Sequence, residues 1–210
     1  MAKDILLIDD HNIVINGLRL LLKTELLDIT VSESICISCA HNTLNSSAFD
    51  LAIVDLNMNN SNCFDLIKHI KLSSTKTKIL VYTSYPEEVF ALRLYKMGIQ
   101  GFVNKQESIR ELSSAIHTVL SGKIYYSERT KELLLESLGK TEDLQTFDRL
   151  SDRELEVALL LSRGKTLMEI EVALAVSKST ASTFKRRVFS KLNISNILEL
   201  SELCMIHNIG

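Results

Sequence analysis

Short apolar runs alternate with longer amphipathic segments through residues 1–125. Runs at residues 5–8, 51–54, 79–82 and 101–104 have the length and composition of buried strands. Two of the helix-length segments carry apolar side chains on one face: Val14, Leu18, Leu21 and Leu22 in the first, and Ile109, Leu112, Ile116 and Val119 in the last. The pattern predicts an α/β fold, a doubly wound five-stranded parallel sheet. Residues 35–47 are poorly periodic and rich in serine and asparagine, so we expect a short or irregular second helix there.

The pattern changes after residue 125, where strand signals stop. Residues 126–147 contain one helical patch, at 131–138, and a polar tail, which predicts a linker. Residues 148–210 carry helical signals only. Ser151 and Glu154 have the spacing of a capping box, and Gly164 ends the helix that they begin. A short helix at 167–174, a tight turn and a longer helix at 179–192 then predict a helix-turn-helix in a small all-α domain.

Polar side chains stand at the ends of four predicted strands. These are Asp9 and Asp10, then Asp55, then Thr83, and finally Lys105. Because parallel strands end at the same edge of a sheet, we expect these side chains to meet there. Clustered carboxylates favour Mg²⁺, and an ammonium and a hydroxyl nearby would stabilise a phosphoryl group. A single acid after a strand is more often part of an ordinary loop, but four coincidences favour a metal and phosphate site.

The residues at these strand ends resemble the receiver domain of bacterial two-component response regulators. The similarity is carried by ILLIDDH at 5–11, DLNM at 55–58, Thr83-Ser84, and MGIQGFVNK at 97–105. It implies a phosphorelay protein in which a sensor histidine kinase phosphorylates Asp55.

The same resemblance implies roles for the neighbouring residues. It implies a Mg²⁺ site formed by Asp9, Asp10, Asp55 and the backbone carbonyl of Asn57. Lys105 would pair with the phosphoryl oxygens. Thr83 and Phe102 would form a switch pair, in which Thr83 bonds to the phosphoryl group and Phe102 rotates inward.

The loop after Asp55 departs from the receiver pattern. Asn59 and Asn60 stand where relatives usually carry a proline and a glycine, and Cys63 stands where another glycine is common. Asparagine tolerates a positive φ better than most residues, so the turn can still form. The effect of this altered loop on the rate of phosphorylation stays open.

The third helix of the all-α domain carries a local positive charge. Five of its residues between 178 and 191 are basic and none is acidic, although the formal net charge of the chain is −2. A basic, solvated helix face is the ordinary alternative, but this helix stands where a helix-turn-helix places its recognition helix. We expect the outward face of this helix to carry Ser179, Ser182, Thr183 and Arg186. The last three of these should contact base edges. Phosphate contacts are expected from Lys178, Lys185, Arg187 and Lys191. Ala181, Phe184, Val188 and Leu192 should pack inward.

This domain resembles the LuxR-type helix-turn-helix of NarL/FixJ response regulators. The similarity is carried by LSDRELEV at 150–157, GKTLMEI at 164–170, VSKST at 176–180 and KLNIS at 191–195. It implies a transcription factor that binds promoter DNA and forms a homodimer when phosphorylated, through a last helix at about residues 197–207. Ser182 and Phe184 replace the lysine and histidine common in relatives, so the target sequence cannot be transferred from them.

Other sequence features favour a cytoplasmic protein without a membrane partner. No apolar stretch approaches the roughly 18 residues of a membrane span, and the first residues lack a signal-peptide pattern. Cys36 and Cys39 have a C-x-x-C spacing, which without a second pair is weak evidence for zinc or redox chemistry. Cys63 and Cys204 are expected to be reduced, ordinary small residues.

Two other function classes remain open. The first is a receiver-like transcription factor that acts independently of phosphorylation, for which the altered loop at residues 59–63 is the only support. The second is an enzyme on the same scaffold, such as a small phosphotransferase or phosphatase. An enzyme would need an independent acid or base beside Asp55, and it would not explain the basic helix, so we expect no enzymatic activity.

Overall fold

A computed structural model describes residues 2–58, 63–74, 76–139 and 147–206. Its first part is a five-stranded parallel sheet in the order β2-β1-β3-β4-β5. The strands are β1 Lys3–Ile8, β2 Ile29–Ser34, β3 Leu51–Val54, β4 Lys78–Thr83 and β5 Gly101–Asn104. The helices between and after them are α1 Asn12–Glu25, α2 Ile37–Ser46, α3 Cys63–Ser73, α4 Glu87–Lys96 and α5 Ile109–Leu120. The predicted doubly wound fold is confirmed.

Four of the five strands are buried on both faces for most of their length, which explains why β1, β3, β4 and β5 contain continuous apolar runs. Alternate residues of β1 enter different cores: Ile5 and Leu7 pack on the side of α1 and α5, and Leu6 and Ile8 on the side of α2, α3 and α4. The edge strand β2 differs, because polar residues alternate with apolar ones along it and all of it except Ser34 is half-buried or exposed.

The prediction of a short or irregular second helix was wrong. α2 is a regular helix of 10 residues. Its first turn is capped by sulfur, because Sγ of the N-cap residue Cys36 accepts a hydrogen bond from the Cys39 backbone N–H at 3.0 Å, and a disulfide joins these two cysteines. Ala40 is fully buried and Leu44 packs against the core. Tertiary packing therefore holds a helix whose own periodicity is weak.

The remaining elements are helical, as predicted. They are α6 Glu128–Gly139, a 3₁₀ turn at Phe147–Arg149, α7 Asp152–Ser162, α8 Leu167–Leu174, α9 Lys178–Leu192 and α10 Ile197–Ile206. α6 starts three residues before the expected patch. Most of the predicted polar tail, and the last residue of the predicted final helix, lie outside the described residues. None of the helices in the described part of the chain combines the length and hydropathy needed to cross a bilayer.

Local capping fixes the ends of these helices. The predicted capping box of Ser151 and Glu154 is present at the start of α7, and Thr166 and Glu169 form a second one at the start of α8. Gly164 has a φ of 76° where the chain turns after α7. These side-chain bonds satisfy backbone N–H groups that have no partner within the helix.

α6 is fastened to α4 by hydrogen bonds at its first turn. The hydroxyls of Ser127 and Thr130 both donate to the buried carboxylate of Glu87, the first residue of α4. Arg129 lies 3.1 Å from the Glu88 carboxylate. The segment after the sheet is thus attached to the helix that follows β4.

The helix-turn-helix part lies against α3 and α4. The Arg93 guanidinium on α4 donates to the backbone carbonyl of Leu150 at 2.7 Å and pairs with Asp152 at 2.8 Å. Lys68 on α3 lies 3.6 Å from the same aspartate. Apolar residues of both parts belong to one continuous core cluster. Arg93 therefore couples α4 to the first turn of α7.

Candidate acidic site and nucleic-acid interface

Four side chains form an acidic cluster at the carboxyl edge of the sheet. Asp9, Asp10 and His11 follow β1 and Asp55 follows β3, and one potential ligand atom from each lies within 4.8 Å of all the others. Asp9 and Asp55 are only 2% exposed. Buried carboxylates so close together repel each other unless a cation neutralises them. The expected meeting of the strand-end acids is present.

Lys105, from the end of β5, supplies a cation to this cluster. Its Nζ donates to Asp9 Oδ2 and to Asp55 Oδ2, both at 2.7 Å. Burial alone would lower the pKa of Lys105, but the two carboxylates outweigh it and raise that pKa. The ammonium is therefore held charged between two acids that come from different strands.

The other oxygen of Asp55 is held by the backbone. The N–H of Asn57 donates to Asp55 Oδ1 at 3.0 Å, which fixes the plane of the carboxylate. Asn59 and Asn60 lie outside the described residues. Cys63 is fully buried at the start of α3, and burial, followed by the charge of Asp55, raises its pKa strongly. Its thiol is therefore unreactive and fills space at the start of α3.

His11 was not among the predicted site residues, but it belongs to the cluster. Its Nδ1 lies 3.1 Å from Asp9 Oδ1 and 2.8 Å from Asp10 Oδ1, and its backbone N–H donates to Asp9 at 2.8 Å. It is also the N-cap residue of α1, the helix-start position expected for it from the sequence. Its position directly after two site acids was the signal available.

The donor set fits Mg²⁺. Asp9, Asp10 and Asp55 offer carboxylate oxygens, which hard cations prefer. A divalent cation between these carboxylates would also relieve their mutual repulsion. Sulfur ligands are not part of the cluster. The cluster is therefore compatible with an oxygen-coordinated divalent cation.

The two predicted switch residues lie on the neighbouring strands β4 and β5: Thr83 ends β4, and Phe102 lies in β5. Thr83 is fully buried, and its hydroxyl accepts a hydrogen bond from the Tyr85 N–H at 3.4 Å. Phe102 is also fully buried, and its N–H donates to the Tyr95 hydroxyl at 3.1 Å. That hydroxyl donates in turn to the Tyr125 carbonyl. Phe102 therefore already occupies the inward position that the sequence analysis assigned to the phosphorylated form.

The basic helix α9 presents a polar face to solvent. Lys178, Ser179, Ser182, Arg186, Arg187 and Lys191 are exposed, and Thr183 and Lys185 are half-buried. Ala181, Val188 and Leu192 are buried as expected, whereas Phe184 is only half-buried. The predicted inward and outward faces are thus largely those of the folded helix.

Several of these polar residues make contacts within the domain. Lys191 pairs with Glu154 at 2.6 Å, and Lys185 lies 5.3 Å from the centre of the Phe189 ring. Burial would raise the pKa of Glu154, but the bonds from Lys191 and Ser151 outweigh it and lower that pKa. The Thr183 hydroxyl donates to the Ser179 carbonyl at 2.8 Å, which leaves its oxygen as an acceptor. Arg186 and Arg187 are the exposed guanidinium groups of this face.

Comparison with known proteins places both parts of the chain in families. Residues 5–117, more than half of the chain, match the response regulator receiver domain, and residues 148–204 match the bacterial regulatory proteins of the luxR family. The chain belongs to the response regulators. It combines a receiver domain with a LuxR-type DNA-binding domain, as the two sequence resemblances implied.

Individual relatives cover the whole length of this response regulator. The response regulator UvrY of Escherichia coli K12 is 29% identical over 207 residues, covering 98% of this chain and 95% of UvrY. The response regulator GacA of Pseudomonas aeruginosa is 28% identical, covering 98% and 96%. Among solved structures, RcsB of Salmonella enterica bound to a promoter in the presence of the phosphomimetic BeF3⁻ has a TM-score of 0.69 and 26% identity, covering 97% and 98% of the two chains. Relatives of this kind are transcription regulators of two-component systems, and so is this protein.

Proposed function

We propose that this response regulator is switched by transfer of a phosphoryl group from a sensor histidine kinase to Asp55. The observation that carries the proposal is the position of Lys105, which bonds to both Asp9 and Asp55. Such an ammonium can bond to the phosphoryl oxygens and stabilise the negative charge on them during transfer. The cytoplasm is the proposed location, because the promoter DNA is there.

The transfer step follows from the chemistry of the carboxylate. An oxygen of Asp55 attacks the phosphorus of the phosphohistidine, the new O–P bond forms, and the N–P bond to the histidine breaks. Asn57 N–H keeps the carboxylate in place, and Lys105 moves from Asp55 toward the phosphoryl oxygens. Mg²⁺, when held by Asp9, Asp10, Asp55 and the carbonyl of Asn57, would neutralise the acids and the incoming group.

The acyl phosphate supplies new hydrogen-bond acceptors near Thr83. The Thr83 side chain would rotate to donate its hydroxyl to a phosphoryl oxygen, and this rotation would move its oxygen away from the Tyr85 N–H. Tyr85 lies directly before α4, which carries Glu87 and Arg93. A shift of the β4–α4 connection is therefore transmitted to the attachment points of α6 and α7.

The proposed output is promoter binding by a homodimer. Phosphorylation weakens the contacts of Arg93 with Leu150 and Asp152, and this releases the DNA-binding domain for dimerisation through α10. Two recognition helices would then read two half-sites. One solved structure of RcsB contains two RcsB dimers bound to two parallel DNAs, which supports a dimeric DNA-bound form.

The face of α9 divides into two kinds of DNA contact. Ser182, Thr183 and Arg186 are proposed to reach base edges, because they share the outer side of the helix. The proposed phosphate contacts are Lys178, Lys185, Arg187 and Lys191, with Ser179 flanking them. Lys191 would exchange its bond to Glu154 for a phosphate, which makes it the weakest of these contacts.

Intact-protein mass spectrometry tests the phosphorylation site. The wild type is incubated with acetyl phosphate and Mg²⁺, beside Asp55→Asn and, as a matched control, Asp65→Asn, which makes the same change on the exposed part of α3. We expect one phosphoryl adduct in the wild type and in Asp65→Asn, and none in Asp55→Asn. An adduct that persists in Asp55→Asn would exclude this phosphoacceptor. No adduct in any sample would favour the phosphorylation-independent alternative.

A further inference from the structure

The start of α2 carries a pair of cysteines that the phosphorylation switch does not use. Cys36 is the half-buried N-cap residue and Cys39 is exposed, three residues later. A disulfide joins them, with 5.2 Å between the Cα atoms. The free cysteines Cys63 and Cys204 are both buried.

A purely structural role does not account for this disulfide. The bond closes a loop with a sequence separation of only 3, and such a small loop removes little entropy from the unfolded chain. The helix has other anchors, since Ala40 is fully buried and Leu44 packs against the core. In the cytoplasm, where we place the protein, disulfides of mesophilic proteins are mostly transient and redox-active.

The surroundings of Cys36 favour a thiolate as a leaving group. Its Sγ accepts the N–H of Cys39 at 3.0 Å and lies 3.1 Å from the Ser38 hydroxyl. Both bonds come from the first turn of a helix, where the dipole also favours negative charge. Cys39 has the more exposed position, so its sulfur is the accessible point of attack.

We propose that Cys36 and Cys39 form a reversible redox site that reacts with a low-molecular-weight thiol and its disulfide. A small thiolate attacks Sγ of Cys39, the Cys36–Cys39 bond breaks, and Cys36 leaves as a thiolate. A second small thiolate attacks the small-molecule sulfur of the mixed disulfide, so that the oxidised small molecule departs and Cys39 is freed. Two electrons, and two protons from solvent, have then been added to the cysteine pair. Oxidation runs through the same steps in reverse.

The position of the pair connects it to the acidic cluster. Ser34, two residues before Cys36, ends β2 and is buried, and its carbonyl accepts the N–H of Asp9 at 3.2 Å. Its hydroxyl lies 3.5 Å from that of Thr43 on α2. Breaking the disulfide releases the first turn of α2 beside this contact. The redox state is therefore transmitted to the backbone of a residue in the acidic cluster.

Thiol alkylation of the full-length protein in glutathione buffers tests the redox site. The protein is equilibrated at graded ratios of reduced to oxidised glutathione and quenched by acid precipitation. It is then alkylated with excess iodoacetamide in denaturant at mildly alkaline pH, where thiols react as thiolates, and mapped by mass spectrometry. We expect Cys36 and Cys39 to change together from unreactive to alkylated, with a midpoint within the series. Cys204→Ala should leave that midpoint unchanged, and Cys36→Ser should abolish the paired transition.

Two results would overturn the redox site. Cysteines that are alkylated in every buffer would show that no disulfide forms, and a disulfide that survives the most reducing buffer would show a structural bond. Neither result depends on Asp55 or Mg²⁺, so each is distinct from failure of the phosphorylation proposal.

Amide hydrogen exchange at Asp9 tests the connection to the acidic cluster. We expect the exchange rate to differ severalfold between the oxidised and reduced wild type, and to be insensitive to reductant in the Cys36→Ser, Cys39→Ser double variant. Equal rates in the two wild-type states would confine the redox change to α2 and overturn this connection.

Discussion

At the scale of single residues, the protein depends on one buried cation between two acids. Lys105 is 14% exposed in its side chain, and it bonds to carboxylates that are almost fully buried. Removing the partner of a buried charge costs more than the pair contributes, because the remaining charge is left without compensation. In the proposed mechanism this cation moves from the two acids to the phosphoryl group.

Lys105→Met should destabilise the protein by about 3 kcal/mol in the absence of Mg²⁺, because Asp9 and Asp55 then repel each other without a counterion. Adding Mg²⁺ should restore more stability to the variant than to the wild type. Urea unfolding with and without Mg²⁺ measures both effects. Lys123→Met, at an exposed lysine, is the matched control and should change stability little. Equal unfolding midpoints for the wild type and Lys105→Met would contradict this role.

The ion pair of Glu154 makes the helical domain sensitive to acid. Its folded pKa lies below the ordinary value of 4.5 because Lys191 and Ser151 bond to the carboxylate. A lowered pKa contributes stability that is present above 4.5 and is lost as the pH falls through the folded pKa.

Glu154→Gln should therefore cost about 1 to 2 kcal/mol at neutral pH and progressively less below pH 4.5. Urea unfolding over this pH range measures the difference from the wild type. Glu202→Gln, on the exposed side of α10, should show neither effect. A difference that grows on acidification would contradict the assignment.

At the scale of elements, capping interactions between sequence neighbours determined which helix ends could be predicted from the sequence. The capping box at the start of α7 and the turn at its end each depend on residues close together in the sequence, Ser151 with Glu154 and then Gly164. Both ends of α7 could therefore be predicted from the sequence. The start of α2 has no such signal, because its cap is the sulfur of Cys36. Its stability comes from contacts such as that of Ala40, which periodicity does not reveal.

The proposed DNA contacts assign different functions to two neighbouring arginines of α9. Arg186→Ala should weaken binding of a duplex selected from a random library by about 1 to 3 kcal/mol, and relax its sequence preference, because a base contact is lost. Arg187→Ala should weaken binding to all sequences alike, and reduce the salt slope by about 1, because a phosphate contact is lost. Fluorescence anisotropy across a salt series distinguishes the two outcomes. Identical salt slopes and preferences in both variants would refute the division.

At the scale of the whole molecule, the resting arrangement depends on contacts that sequence patterns do not encode. Arg93 bonds to a backbone carbonyl 57 residues away, at Leu150. Any residue type could offer that carbonyl, so no motif predicts the contact. The strand-end acids were predictable for the opposite reason: parallel topology alone brings Asp9 and Asp55 together.

The DNA-binding domain also lies close to the connection between β4 and α4. Arg163, the C-cap residue of α7, lines the same cavity as Ser84 and Pro86 of that connection. In the proposed mechanism, movement of this connection would change the surface against which α7 packs.

Arg93→Met keeps an unbranched side chain but removes the two bonds that Arg93 makes to Leu150 and Asp152. We expect the unphosphorylated variant to bind DNA severalfold more tightly than the wild type, and to respond less to phosphorylation, because its domains separate more easily. Small-angle X-ray scattering should show a more extended molecule. Arg110→Met, at an exposed arginine of α5, is the control. A variant as compact and as weakly binding as the wild type would show that Arg93 does not restrain the domains.

A phosphoryl group on Asp55 is proposed to produce the DNA-binding form. The most direct measurement is the affinity for the selected duplex of mass-verified wild type, before and after treatment with acetyl phosphate and Mg²⁺, beside Asp55→Asn. We predict that phosphorylation tightens wild-type binding at least about tenfold, equivalent to about 1.4 kcal/mol, and leaves Asp55→Asn unchanged. Unchanged wild-type affinity at full phosphorylation, or an equal gain in Asp55→Asn, would show that phosphorylation of Asp55 does not control DNA binding.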